Sequence, residues 1–273
     1  MKFKLIAGPC VIENRDVIFA IAEKLSSLSS KYDIDLIFKA SFDKANRSSA
    51  SSFRGFQLDE GLKILNEVKE EFKIPVLTDI HESYQAKPVS DVVDVIQIPA
   101  FLCRQTDLLM ASAKAVSNSS KCINIKKGQF LAPWDMKQII LKMEKFGLDI
   151  GSNKLWLTER GTSFGYNTLV VDYRSLPQLK NYGCPVIFDA THSVQQPGGM
   201  GSKSGGQREF VAPLARAAAA VGIDGIFIET HLDPNKALSD GPNMVPLHRI
   251  DKLVGQILNI RECLSDGIAS SEY

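Results

Sequence analysis

The chain has 273 residues, 44% of them hydrophobic, enough to bury a sizeable core, and a single α/β barrel takes about 250. A formal charge of +1, from 32 basic and 31 acidic residues, supplies no global field for nucleic acid or an anionic membrane, so local cation clusters must serve local purposes. The apolar opening stops at Gly8-Pro9, no run reaches the ~18 apolar residues of a membrane span, and the cysteines are odd in number and scattered, so a reducing cytoplasm is the expected compartment.

Short strand-like runs alternate with helical patterns along the whole chain. Phe3–Ala7 reads as a strand, followed by helical spacing over Val17–Leu28. Ile34–Lys39 is followed by a helix from Asp59 to Phe72, with Leu62, Leu65 and Val68 on one face. Pro75–Asp79 leads to a short helical segment near Ser83–Pro88, and Val95–Ile98 to a helix over Thr106–Val116. Ile123–Lys126 precedes Trp134–Phe146, and Leu155–Glu159 precedes an irregular stretch and a helix near Pro177. Val186–Asp189 and Gly225–Glu229 complete the strands, with helices over Glu209–Val221 and Pro246–Leu264 and a frayed tail over Ser265–Tyr273. Eight such pairs, with no Pro/Gly/Ser-rich seam between them, predict one (β/α)8 TIM barrel as a single domain spanning 1–273.

Ligand-type side chains fall at or just beyond the C-terminal end of every predicted strand. They are Cys10, Lys39, Asp79 with His81, Gln97, Lys126, Glu159-Arg160, Asp189 with His192, and Glu229 with His231. Barrel enzymes assemble their sites on that face. The densest stretch is Lys39 to Ser49, KASFDKANRSS, in which Lys39, Lys44 and Arg47 stand among the donors Asn46 and Ser48. Ammonium and guanidinium groups at this spacing suit small, multiply charged anions.

In a closed barrel the last strand pairs with the first, which brings Cys10, His192, Glu229 and Asp240 into one sector. Thiolate, imidazole and two carboxylates make a shell for a divalent metal, with Zn, Fe(II) and Mn as candidates. Cys103, Cys122, Cys184 and Cys263 have no such company and read as structural. The glycine-rich run from Gly198 to Gly206 fits neither the dinucleotide nor the P-loop pattern. It is either a lid over the site or an ordinary surface loop.

These stretches resemble the 3-deoxy-D-manno-octulosonate 8-phosphate synthase family from Ile6 to about Leu264. The resemblance is carried by AGPCVIE (7–13), FKASFDKANRSS (38–49), TDIHES (78–83), IQIPAFLCRQTDL (96–108), KKGQFLAPWD (126–135), LTERGTSFGYN (157–167), FDATHSVQQPGG (188–199) and SDGPN (239–243). The related DAHP synthases carry a Lys-Pro-Arg-Thr-type motif where this chain has Lys44-Ala45-Asn46-Arg47. The resemblance implies condensation of phosphoenolpyruvate with D-arabinose 5-phosphate and water, for lipopolysaccharide biosynthesis, by a homotetramer. The alternative is a DAHP synthase-like condensation with erythrose 4-phosphate.

By the same resemblance, Lys39 and Lys44 hold the carboxylate end of phosphoenolpyruvate and Lys126 and Arg160 its phosphate. Asn46, Arg47 and Ser48 meet the sugar phosphate, and Arg104 reaches that phosphate from a neighbouring subunit. Asp79 and His81 supply acid/base and hydroxyl contacts. Cys10 places the chain with the metal-using branch, which has Cys where the metal-free branch has Asn, whereas Gly241-Pro242 after Asp240 is commoner in the metal-free one. Two rival readings stand beside this: a Schiff-base aldolase with Lys39 or Lys126 as nucleophile, and a non-catalytic barrel that only binds phosphorylated metabolites.

Overall fold

The computed structural model describes residues 2–47, 49, 51–199 and 204–265. Ser48, one of the predicted sugar-phosphate ligands, lies outside the described residues, as do 200–203 of the glycine-rich run and 266–273 of the tail. Eight parallel strands form the barrel: β1 (Phe3–Gly8), β2 (Ile34–Lys39), β3 (Val76–Asp79), β4 (Val95–Ile98), β5 (Cys122–Lys126), β6 (Leu155–Glu159), β7 (Val186–Asp189) and β8 (Gly225–His231). Each pairs with the next, and β8 pairs back with β1, aligning Gly8 with Glu229 and closing the barrel. Eight helices surround it: α1 (Arg15–Lys31), α2 (Leu58–Phe72), α3 (Ala86–Val92), α4 (Thr106–Val116), α5 (Met136–Lys145), α6 (Ser175–Lys180), α7 (Val211–Val221) and α8 (Leu247–Ser265).

The predicted elements are all present, with ends shifted by a few residues. Asn14 starts α1 earlier than the apolar spacing suggested, because its side chain accepts a hydrogen bond from Val17 N at 3.0 Å. Strand β8 runs two residues past Glu229, where it takes on the short parallel strand Val245–Pro246. After β6, the irregular stretch contains a small hairpin pairing Thr162–Ser163 with Leu169–Val170.

Two apolar clusters follow from the two-residue period of the strands. The larger lies between strands and helices and takes Leu5, Ala7, Leu36 and Phe38 from β1 and β2 with Ile18, Ile21, Leu25 and Leu28 of α1. The smaller is formed by Ile6, Ile37, Leu77, Val95, Trp156, Ile187 and Phe227, the alternate set that points into the barrel. Two residues beyond these on the same face come Lys39, Asp79, Gln97, Thr158, Asp189 and Glu229, all buried. The alternation that fills the barrel therefore also sets a polar layer on top of its apolar plug. Part of that layer is an internal chain: Thr158 Oγ1 donates to Asn124 Oδ1 at 2.6 Å, and Asn124 Nδ2 donates to Gln97 Oε1 at 3.0 Å.

Among the described residues no helix is long and apolar enough to cross a membrane. All five cysteines are free; Cys10, Cys103 and Cys184 are buried, Cys122 is half-buried and Cys263 is exposed on α8.

The end of β1 is tight. A Cβ on Gly8 would lie 2.0 Å from the carbonyl oxygen of Lys39, so the β1 and β2 backbones approach as closely as only glycine allows. Gly8→Ala is expected to destabilise the fold by about 1–3 kcal/mol, read as a lowered midpoint in urea denaturation, with an unchanged midpoint contradicting the packing argument.

Candidate active site

A cavity of about 1120 Å³ opens over the C-terminal ends of the strands. Of the predicted residues it is lined by Lys39, Lys44, Asn46, Arg47, Asp79, His81, Lys126, Arg160, His192, Glu229 and Asp240. Arg104 does not line it. It is exposed and borders a separate cavity of about 420 Å³ with Phe101, Phe130 and Lys142.

Barrel closure places Cys10, Glu229 and Asp240 so that one ligand atom of each lies within 4.8 Å of the others. Cys10 Sγ stands 3.3 Å from Asp240 Oδ2 and 3.1 Å from Ser239 Oγ. The fourth predicted ligand, His192, is not one of these three but stands beside them from the side of β7, its Nε2 3.7 Å from Glu229 Oε1 and 3.9 Å from Asp240 Oδ2. Its Nδ1 lies 2.8 Å from Asp189 Oδ2. Asp189 thereby orients the ring by its Nδ1 edge and turns Nε2 toward the cluster, the orientation usual for a metal-binding imidazole. Glu229 Oε2 is buried with no hydrogen-bond partner among the described residues, a costly state that a cation relieves. Donor set and orphaned oxygen together fit a divalent transition metal.

Charge at the cluster is balanced from the β2 side. Lys39 Nζ donates to Glu229 Oε1 and to the Cys10 carbonyl oxygen, both at 2.7 Å. Burial opposes ionisation of Glu229, but Lys39, His192 and Lys44 overcome it and hold the pKa down at about 2. Burial and then Glu229 push the Cys10 thiol well up, so a cation binding at Sγ must displace a proton.

Lys126 Nζ meets Asp189 Oδ2 at 2.5 Å and lies 3.7 Å above the centre of the Phe227 ring. Burial pulls the lysine pKa down while Asp189 opposes that pull. Burial likewise works against ionised Asp189, but His192 and Lys126 hold its pKa far below the usual carboxylate range.

On the opposite side, Lys44 Nζ donates to Ser41 Oγ at 2.8 Å, and Ser41 Oγ donates to Asp79 Oδ1 at 2.5 Å. Asp79 Oδ2 lies 3.2 Å from His81 Nε2, and the buried His81 Nδ1 has no partner among the described residues. Burial raises the Asp79 pKa, yet Lys44, His81 and Lys39 together keep it well below its ordinary value.

The predicted end-of-strand residues do not all face the cavity. Glu159 turns back, accepting from Arg160 N at 3.0 Å and Gly161 N at 2.6 Å while facing the buried Lys127 at 3.6 Å. His231 faces Glu13 at 3.5 Å and the backbone of Asp233. Both hold loops in place. Arg47, which lines the cavity, gives one N–H each from Nε, Nη1 and Nη2 to Phe53 O, Ser239 Oγ and Leu238 O, bracing the loop that carries Asp240 while two N–H donors remain. Asp240 adopts a left-handed backbone, φ 50°, in that loop, a conformation Asp tolerates better than most residues.

Sequence reasoning missed Ser41, Ser239 and Gln195. Ser41 and Ser239 were hidden by their commonness. Gln195 had one legible signal, its place three residues after His192 in the irregular run beyond β7.

Fold and site define a barrel with a cation-lined cavity and a metal-capable cluster on its C-terminal face. The chain belongs to the DAHP synthetase I family, whose pattern matches residues 1–262. It is 59% identical to the 2-dehydro-3-deoxyphosphooctonate aldolase of a Cyanothece species, over 96% of this chain and 93% of that one. Proteins of the same name from a Synechococcus species and from Campylobacter jejuni are 55% and 56% identical, over 98% and 97% of this chain and 91% and 98% of theirs.

Because the folded-state pKa of Asp79 is depressed, its contribution to stability is present above its ordinary value of 3.8 and is lost as pH falls through the lower folded value. Asp79→Asn is expected to cost about 1–3 kcal/mol at pH 7. The gap to wild type should narrow below pH 3.8. Urea denaturation of both proteins across acid pH checks this, and a gap that widens on acidification contradicts it.

Proposed function

We propose that the chain condenses phosphoenolpyruvate with D-arabinose 5-phosphate and water, giving 3-deoxy-D-manno-octulosonate 8-phosphate and inorganic phosphate for lipopolysaccharide biosynthesis. It does so as one catalytic domain spanning 1–273, in a cytoplasmic homotetramer that uses Zn, Fe or Mn. The observation that carries this reading is the convergence of Lys39, Lys44, Lys126 and Arg160 on one cavity beside the Cys10/Glu229/Asp240 cluster, in a chain whose near relatives are named for that product. The exposure of Arg104 and its place outside the main cavity of its own chain support the assignment of this residue to a neighbouring subunit's sugar phosphate.

In the reaction, C3 of phosphoenolpyruvate bonds to the aldehyde carbon while water oxygen bonds to C2. The C2–O bond to phosphate then breaks, leaving a keto acid. One water hydrogen ends on the new hydroxyl and the other on the departing phosphate. Lys39 and Lys44 hold the carboxylate of phosphoenolpyruvate, and Lys126 and Arg160 hold its phosphate, for which the buried, unpartnered Arg160 Nη1 is available. Asn46, Arg47 and Ser48 meet the sugar phosphate. Asp79 engages His81 Nε2, so Nδ1 is the atom that exchanges a proton with the aldehyde oxygen as it becomes a hydroxyl. A divalent cation held by Cys10, His192, Glu229 and Asp240 supplies Lewis-acid polarisation or positioning of an oxygen when bound.

Phosphate release is the test. Purified protein given phosphoenolpyruvate should release phosphate with arabinose 5-phosphate and not with erythrose 4-phosphate. Activity should fall on thorough chelation and return with added divalent metal. Release with erythrose 4-phosphate alone would replace this reading with the DAHP synthase-like one, and full activity after complete metal removal would remove the metal from it. A borohydride-trapped adduct on Lys39 or Lys126 would instead support the Schiff-base chemistry.

A further inference from the structure

Between the phosphate-binding side of the cavity and the metal-capable cluster lies one amide. Arg160 Nη2 donates to Gln195 Oε1 at 3.1 Å, and Gln195 Nε2 donates to Asp240 Oδ1 at 3.0 Å. The amide orientation is forced, since a guanidinium only donates and an ionised carboxylate only accepts. Each contact leaves one atom facing the chemistry. On the arginine, Nη1 is buried and without a partner among the described residues. On the aspartate, Oδ2 faces Cys10 Sγ at 3.3 Å and His192 Nε2 at 3.9 Å, while Oδ1 is occupied by the amide. Gln195 is itself held by its backbone, paired antiparallel with Gly206.

We infer that Gln195 is a positioning residue that ties the anion-binding guanidinium of Arg160 to the metal-facing carboxylate of Asp240, so that filling one site tightens the other. This rests on the proposed roles of Arg160 and Asp240. An anion on Nη1 fixes the guanidinium plane, the guanidinium fixes the amide, and the amide turns Oδ2 toward the cluster. By linkage the effect is reciprocal: a metal on Asp240 tightens anion binding by the same factor.

The test uses cobalt(II), whose near-ultraviolet thiolate band and visible spectrum report occupancy at Cys10 independently of turnover. Metal-free wild type and Gln195→Met are titrated with cobalt(II), with and without inorganic phosphate, at fixed pH. Phosphate is expected to tighten cobalt binding about fivefold or more in wild type. In Gln195→Met the ratio should fall to near one. Gln195→Glu keeps the acceptor for Arg160 but sets a carboxylate against Asp240; it should bind cobalt more weakly without phosphate and also lose the coupling. It serves as the second test if the methionine variant does not fold.

A wild-type ratio of one, or an undiminished ratio in the folded variants, overturns the inference. Failure of the reaction assignment would show separately, as absence of phosphate release by wild type with arabinose 5-phosphate.

Discussion

The buried ion pair between Lys39 and Glu229 holds the site together. It sits at the seam where β8 closes onto β1, and the ammonium also binds the Cys10 carbonyl oxygen. One cation thus fixes the end of β2, the loop after β1 and β8 at Glu229 at once. That junction brings the Cys10 thiol and the Glu229 carboxylate side by side. Truncating either partner would strand a charge in the interior, at a cost of about 3–5 kcal/mol.

The remaining cavity charges follow the same logic. Lys126 rests on Asp189, and Lys44 reaches Asp79 through Ser41. A pocket of buried cations with no counter-charge would be too costly to fold, so the carboxylates are as necessary as the lysines. They also keep the lysines ordered at the mouth of the barrel. Glu229 has a double duty, since Oε1 neutralises Lys39 while Oε2 has no partner among the described residues.

Barrel architecture was legible because two signals coincide in the sequence: strand-like runs alternating with helical ones and a ligand-type residue at or just beyond the end of each strand. Within each strand the two-residue period makes an apolar plug, Ile37 and Phe227 among it, capped by Lys39 and Glu229. Closure led to the expectation that Cys10, His192, Glu229 and Asp240 converge; the structure groups Cys10, Glu229 and Asp240, with His192 beside two of them. The direction in which a side chain leaves a loop was not. Glu159 and His231 stand at strand ends like their neighbours, yet turn toward Lys127 and Glu13. Arg47 lines the cavity as its place in the cation-rich stretch suggests, but its further bonds to the loop carrying Asp240 had no sequence signal. Gln195 carried only its place after His192 as a signal, because its meaning depends on two partners, Arg160 and Asp240, each more than thirty positions away along the chain.

The distribution of thiols has a practical side. Cys10 is sealed in the barrel mouth, while Cys263 is exposed on the outer helix α8. A maleimide dye or a gold surface will therefore react first at α8, far along the chain from any cavity residue. The protein carries its own attachment point for single-molecule or immobilised formats. Air oxidation of a stored sample will likewise begin there, joining two chains through their last helices and leaving the cavity untouched.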